Sequence, residues 1–128
     1  MKKLIQLLAL SACFLLLGAS TVMAQDKVKN VTNCDFLVRV AYGPAGSCTS
    51  TGFVDAIVPA GTSIVVGIPA GTEIIAAKGY YTVNPPFCSF YVALTCAGGP
   101  LTDSVVCSSA CNDYKARLYP GTGLLLYD

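Results

Sequence analysis

The chain has 128 residues, enough for one domain. Its eight basic and seven acidic residues nearly cancel and are scattered along the sequence. That leaves no electrostatic footprint for nucleic acid or for an anionic lipid surface. There is no histidine, which removes Ser-His-Asp and Cys-His machinery and the commonest general base.

Residues 1–24 read as a secretory signal. Lys2 and Lys3 supply positive charge, an apolar run follows, and Ala19-Ser20-Thr21-Val22-Met23-Ala24 supplies small residues before Gln25. Val22 and Ala24 stand three and one residues before the expected cut. Leu10-Ser11-Ala12-Cys13 has the pattern of a lipoprotein acylation site, but a cut there would leave Phe14-Leu15-Leu16-Leu17 behind the lipid. The remaining chain keeps six basic residues against seven acidic ones, one net negative charge. The expected destination is secreted, periplasmic or cell-surface. The membrane is met only through the transient signal.

Residues 25–33 are polar and read as a leader before a single β domain at 34–128. Within the leader, Asn30-Val31-Thr32 is a glycosylation sequon, a pattern short enough to arise by chance. Residues 36–42 alternate, with Phe36, Val38, Val40 and Tyr42 on one face and Leu37, Arg39 and Ala41 on the other. A turn-rich loop at 43–52 follows, then strands at 53–58, 63–68, 73–78 and 87–96. Ala97-Gly98-Gly99-Pro100 turns the chain so that 102–107 pairs back as a hairpin partner. Residues 108–116 hold one helical turn, capped by Ser109. The last strands are 116–119 and 124–127, split by Pro120-Gly121-Thr122-Gly123. Short strands at near-regular spacing, without a long amphipathic helix, define an all-β class. The expected fold is a small disulfide-stabilised antiparallel β-sandwich of about seven or eight short strands.

Beyond the signal lie six cysteines: Cys34, Cys48, Cys88, Cys96, Cys107 and Cys111. An even number in a small exported chain reads as a disulfide framework. Without histidine or a Cys-x-x-Cys pair, a metal site is not indicated, and no cofactor motif is present. A continuous strand through 87–96 would hold Cys88 and Cys96 about 26 Å apart, too far to bridge. At least one bridge is expected to tie the first strand to a distant segment.

Val58-Pro59-Ala60-Gly61-Thr62-Ser63-Ile64-Val65 recurs ten residues later as Ile68-Pro69-Ala70-Gly71-Thr72-Glu73-Ile74-Ile75. Gly61 and Gly71 fit the positive-φ position of type II turns, and the pair reads as consecutive turns of a β meander. Asn33-Cys34-Asp35-Phe36-Leu37-Val38-Arg39-Val40 resembles the opening strand of thaumatin-like proteins. The Pro-Ala-Gly-Thr-Ser segment leading to Val66-Gly67-Ile68-Pro69 is similar to that family's next hairpin. The resemblance covers about half of the exported portion and implies a secreted β-sandwich. Thaumatin-like proteins are longer, richer in cysteine and carry an acidic cleft. No matching acidic set stands here, so no functional residue is carried over.

Seven tyrosines and no tryptophan make up most of the aromatic set beside five phenylalanines. Tyr80, Tyr81 and Tyr91 are the candidate binding patch, because tyrosine gives amphipathic contact area at low entropic cost. The reading is a non-enzymatic exported β domain with a binding, surface or structural role. Its partner would be an extracellular protein or a glycan. Two alternatives remain open: a protease inhibitor presenting the rigid loop 43–52, and a carbohydrate-acting enzyme using Asp55 and Glu73 as a carboxylate pair.

Overall fold

The computed structural model describes residues 26–82, 88–107 and 111–128. The expected signal, its cut and Cys13 lie outside these, as does the Ser109 cap. Nine strands form among the described residues: β1 (Lys27–Asn30), β2 (Phe36–Pro44), β3 (Gly52–Val58), β4 (Ser63–Val65), β5 (Thr72–Tyr81), β6 (Phe90–Ala93), β7 (Thr102–Val105), β8 (Tyr114–Tyr119) and β9 (Gly123–Tyr127). They make a five-stranded sheet in the order β4-β1-β9-β8-β7 and a four-stranded sheet in the order β3-β2-β5-β6.

Alternation produces this arrangement directly. In β2 the inward Phe36, Val38 and Val40 are fully buried, while Arg39 between them is exposed. In β8 Tyr114, Ala116 and Leu118 point in, and Lys115, Arg117 and Tyr119 point out. The inward residues of the two sheets meet in one core, so the fold is the expected all-β sandwich. Each large apolar side chain buried there stabilises by about 1.5–3 kcal/mol. At its centre Phe36, Tyr81, Phe90 and Tyr114 pack with ring centroids 4.4 to 6.2 Å apart, most of them edge to face. The two phenols reach across the sandwich. The Tyr81 hydroxyl donates to the Asn112 carbonyl at 2.8 Å, and the Tyr114 hydroxyl donates to the Cys88 carbonyl. Burial pushes both phenols above the usual tyrosine pKa.

Three disulfides brace the sandwich: Cys34–Cys111, Cys48–Cys96 and Cys88–Cys107. The first ties the entry of β2 to a segment 77 residues away, as the first strand was expected to be tied. Cys88 and Cys96 have different partners, although not because a long strand separates them. The strand stops at Ala93 and the chain turns into one 3-10 turn, Thr95–Ala97, that carries Cys96 out to the surface.

The structure corrects four expectations. Residues 27–30 are not leader but β1, the strand between β4 and β9, antiparallel to the first and parallel to the second. Residues 102–107 do not pair back on β6. The Gly98-Gly99-Pro100 turn passes the chain to the other sheet, where β7 pairs with β8. From Tyr114 the proposed helical turn is strand, because Tyr114 and Ala116 must both reach the core. The two repeated turns do not form a meander within one sheet. Gly61 and Gly71 do take positive φ, 69° and 77°. In each turn the Thr amide donates to the Pro carbonyl three residues back, at 3.2 Å. The first turn, however, moves the chain from β3 to β4 in the opposite sheet, and the second returns it to β5.

The sequon is built into the fold. Asn30 and Thr32 are buried. The Asn30 side-chain amide donates to the carbonyls of Cys34 (2.8 Å) and Val58 (3.0 Å), and its oxygen accepts from the Thr32 amide (3.0 Å) and hydroxyl (2.7 Å). Both amide protons are therefore engaged, and the asparagine joins β1 of one sheet to β3 of the other.

Candidate functional site

The outer face of the four-stranded sheet carries an unusual set of side chains for a solvent-facing surface. Strand register sets them in three rows. Asp55, Arg39, Lys78 and Tyr91 lie side by side across β3, β2, β5 and β6. On one side run Ile57, Leu37 and Tyr80; on the other run Phe53, Ala41 and Ala76. One charged row is thus flanked by two apolar ones. Phe53 and Ile57 are 61% and 62% exposed, and Tyr91 is 47% exposed.

The charged row is pre-set. Arg39 Nε donates to Asp55 Oδ1 at 2.7 Å and Arg39 Nη2 donates to Oδ2 at 2.8 Å, a bidentate pair. The Arg39 guanidinium also lies 4.4 Å from the centre of the Phe53 ring. Its hydrogen bonds hold the Asp55 carboxyl below the usual carboxylate range, with a smaller contribution from the charge of Lys78. The pair is open to water and adds little to stability. Its effect is to fix the direction of a planar cation in the middle of an apolar face.

Two depressions mark this face. One, of about 560 Å³, is lined by Arg39, Asp55, Lys78, Tyr80, Tyr91 and Asp103 among others. The second, about 240 Å³, lies beyond Lys78 toward Phe53 and Ala76. Asp103 comes from β7 of the opposite sheet. Its Oδ2 accepts from the Tyr91 backbone amide at 3.0 Å and closes the groove at the β6 edge. Gly79 forms part of the floor. A Cβ there would meet the Leu37 carbonyl oxygen at 2.4 Å, so only glycine lets β5 lie this close to β2.

Of the three tyrosines expected to form the patch, Tyr80 and Tyr91 line the groove and Tyr81 does not. Tyr81 is fully buried in the aromatic core. Neighbours in a strand face opposite sides, so Tyr80 and Tyr81 cannot share a surface. Reasoning from sequence missed Arg39, Lys78 and Asp103. The odd-position parity of Leu37, Arg39 and Ala41 already placed Arg39 on the outer face. The register of β2 against β3 and β5 needed the structure.

The carboxylate pair does not assemble. Asp55 sits in the row of Lys78, whereas Glu73 lies opposite Gly43, five residues along β5, or about 16 Å at the usual strand rise. Glu73 instead accepts from the Gly46 amide at 2.8 Å. That contact, the Ala45 amide on the Gly71 carbonyl at 3.0 Å and the Cys48–Cys96 bridge secure the 43–52 loop at three points. No group of three or more cysteine, aspartate or glutamate side chains among the described residues is placed to hold a metal ion.

Compared with known proteins, the chain matches no family model, no curated protein and no solved structure.

Proposed function

We propose that this chain is an exported, non-enzymatic recognition domain that binds another extracellular protein through the outer face of its four-stranded sheet. The observation that carries the reading is the exposure of Phe53, Ile57 and Tyr91 around the fixed Arg39–Asp55 pair. Single exposed apolar residues are ordinary, but here exposed apolar side chains stand on both sides of one fixed ion pair on a single sheet face, and clustered apolar exposure marks an interaction surface. Aromatic residues and arginine are the types most enriched where proteins dock and where binding energy concentrates. A β-sheet face braced by three disulfides loses little conformational freedom on binding, so more of the contact energy remains as affinity. The disulfides also fit an oxidising compartment, in keeping with export.

The test is photo-crosslinking. A benzophenone amino acid replaces Tyr91 in the groove or, in a second protein, Tyr119 on the opposite face. Each is incubated with the extracellular fraction of the producing organism. A discrete protein adduct from position 91, absent from position 119, is the expected result. Phe53→Ala with Ile57→Ala should weaken formation of that adduct by about tenfold or more, as truncation of central contact residues does. Absence of any protein adduct from position 91, or an adduct indifferent to the double substitution, overturns the reading.

A further inference from the structure

The near-zero net charge of the chain conceals a segregation that only the strand order reveals. Of the six described basic residues, Lys27, Lys29, Lys115 and Arg117 all stand on the outer face of the five-stranded sheet, and all are exposed. Register places them relative to β9, which runs between β1 and β8. Lys27 lies beside Gly123, which lies beside Tyr119. Lys29 lies beside Leu125, which lies beside Arg117. Lys115 lies beside Tyr127. Taken in the direction of β9, the order Lys27, Lys29, Arg117, Lys115 makes one diagonal stripe across three strands. Its steps are about 7, 10 and 7 Å, from the rise per residue and the spacing of strands.

Nothing acidic interrupts the stripe. Besides Gly123, the other outward positions of this sheet are Ser63, Val65, Leu125, Tyr127, Tyr119, Thr102 and Ser104. Asp128 follows Tyr127 at the Lys115 end of the stripe, where its charge reaches the Tyr81 phenol; Asp26 is buried ahead of β1, Asp103 accepts from the Tyr91 amide, and Asp113 accepts from the Cys107 amide. Among the described residues the one ion pair is Arg39–Asp55, on the other sheet. The Arg117 guanidinium lies 4.9 Å from the centre of the Tyr119 ring. Stacking fixes its plane and leaves its N–H edges free for an anion.

We propose that this face is a docking track for a linear acidic polysaccharide, whose regularly spaced carboxylate or sulfate groups pair with the four cations. Charge complementarity sets the sign of the partner, and the stripe sets its shape. Adjacent strands are rotated by roughly 20–25°, so the ends of the stripe, two strands apart, do not lie in one plane. A flexible chain follows that twist and reaches all four cations, whereas a flat bilayer meets only some of them. Two tyrosines stand on this face, Tyr119 with one ring face against Arg117 and Tyr127 beside Lys115, fewer aromatic platforms than a tracked single-stranded nucleic acid stacks its bases on. This site is separate from the protein-binding face, so either proposal can fail alone.

The oxidised protein as isolated is titrated with polygalacturonate and with dextran sulfate. Neutral dextran, phosphatidylglycerol vesicles and a single-stranded oligonucleotide serve as comparisons. Binding to at least one acidic polysaccharide is expected, weakening by about tenfold or more between 50 and 200 mM salt as several counterions are displaced. Neutral dextran should not bind. K29Q/R117Q should lose at least tenfold in affinity, while R39Q/K78Q, which removes the same charge from the other sheet, changes it less than threefold. Equal losses in the two variants, no binding to either acidic polysaccharide at 50 mM salt, or tighter binding to the vesicles or oligonucleotide would overturn the proposal.

Discussion

Asn30 illustrates how one polar side chain decides local structure here. It is fully buried, and each of its hydrogen-bonding atoms is matched, two donors to main-chain carbonyls and one acceptor to Thr32. Asn30→Ala leaves the Val58 carbonyl and the Thr32 amide without their side-chain partner, while the Cys34 carbonyl keeps the Thr32 hydroxyl at 3.1 Å. At about 1–3 kcal/mol per orphaned group, with partial relaxation, the expected loss is about 3 kcal/mol. Asn30→Asp should cost at least as much, because it sets an acceptor against two carbonyl oxygens. Urea unfolding measures both, with the neighbouring exposed Val31→Ala as a control expected within about 0.5 kcal/mol. A loss under 1 kcal/mol for Asn30→Ala would show that the buried network contributes no net stability. The proposed binding face was partly legible at this scale. Tyr80 and Tyr91 were identified from composition, and period-two parity alone would have removed Tyr81. Asp103 was not legible, because its place in the groove depends on a contact between the two sheets.

At the level of elements, legibility follows the number of alternating apolar residues. β2 and β3 alternate over seven or more residues and were placed to within two residues. β1 contributes a single buried apolar side chain, Val28, beside the buried Asn30, so its sequence gives a polar signal although the strand lies inside a sheet. What admits β1 is Gly123. Its φ is 142°, and a Cβ on it would stand 2.0 Å from the Lys27 carbonyl oxygen, with the Lys27 nitrogen at 2.8 Å. Gly123→Ala combines a strained backbone with a clash against main chain, which cannot step aside as a side chain would. The expected cost is about 3 kcal/mol. By contrast, a Cβ at Gly61 meets nothing within 4 Å, so Gly61→Ala carries only the left-handed strain, about 1–2 kcal/mol. Hydrogen exchange separates the two cases. In Gly123→Ala the amides of Lys27–Asn30 should lose protection while those of β2 and β5 keep theirs. Uniform loss across both sheets would mean that β1 is not an independently opening element.

For the molecule as a whole, stability depends on how the cross-links are distributed between the sheets. Cys34–Cys111 and Cys88–Cys107 each join a segment leading into the four-stranded sheet to one flanking the five-stranded sheet. Cys48–Cys96 joins the 43–52 loop to the turn after β6. The sequence separations are 77, 48 and 19 residues in the order Cys34–Cys111, Cys48–Cys96, Cys88–Cys107. If the bridges act mainly by restricting the unfolded chain, removing each alone costs about 4.5, 4 and 3 kcal/mol in that order. Burial sharpens the ranking. Cys111 is 3% exposed, so the Cys34→Ser, Cys111→Ser pair also places a hydroxyl in the core, a further loss of about 1 kcal/mol or more. Against a typical net stability of about 5–15 kcal/mol, that variant should be the least stable of the three double mutants. Reducing all three bridges should unfold the chain at neutral pH. Thermal unfolding of the three serine pairs, followed by near-ultraviolet dichroism of the buried tyrosines, gives the order. If Cys88→Ser, Cys107→Ser proves the least stable, loop entropy is not what these bridges supply, and their value lies in the local geometry at the β6 edge. If the fully reduced chain keeps its tyrosine signal, the apolar contact between the sheets is sufficient without them.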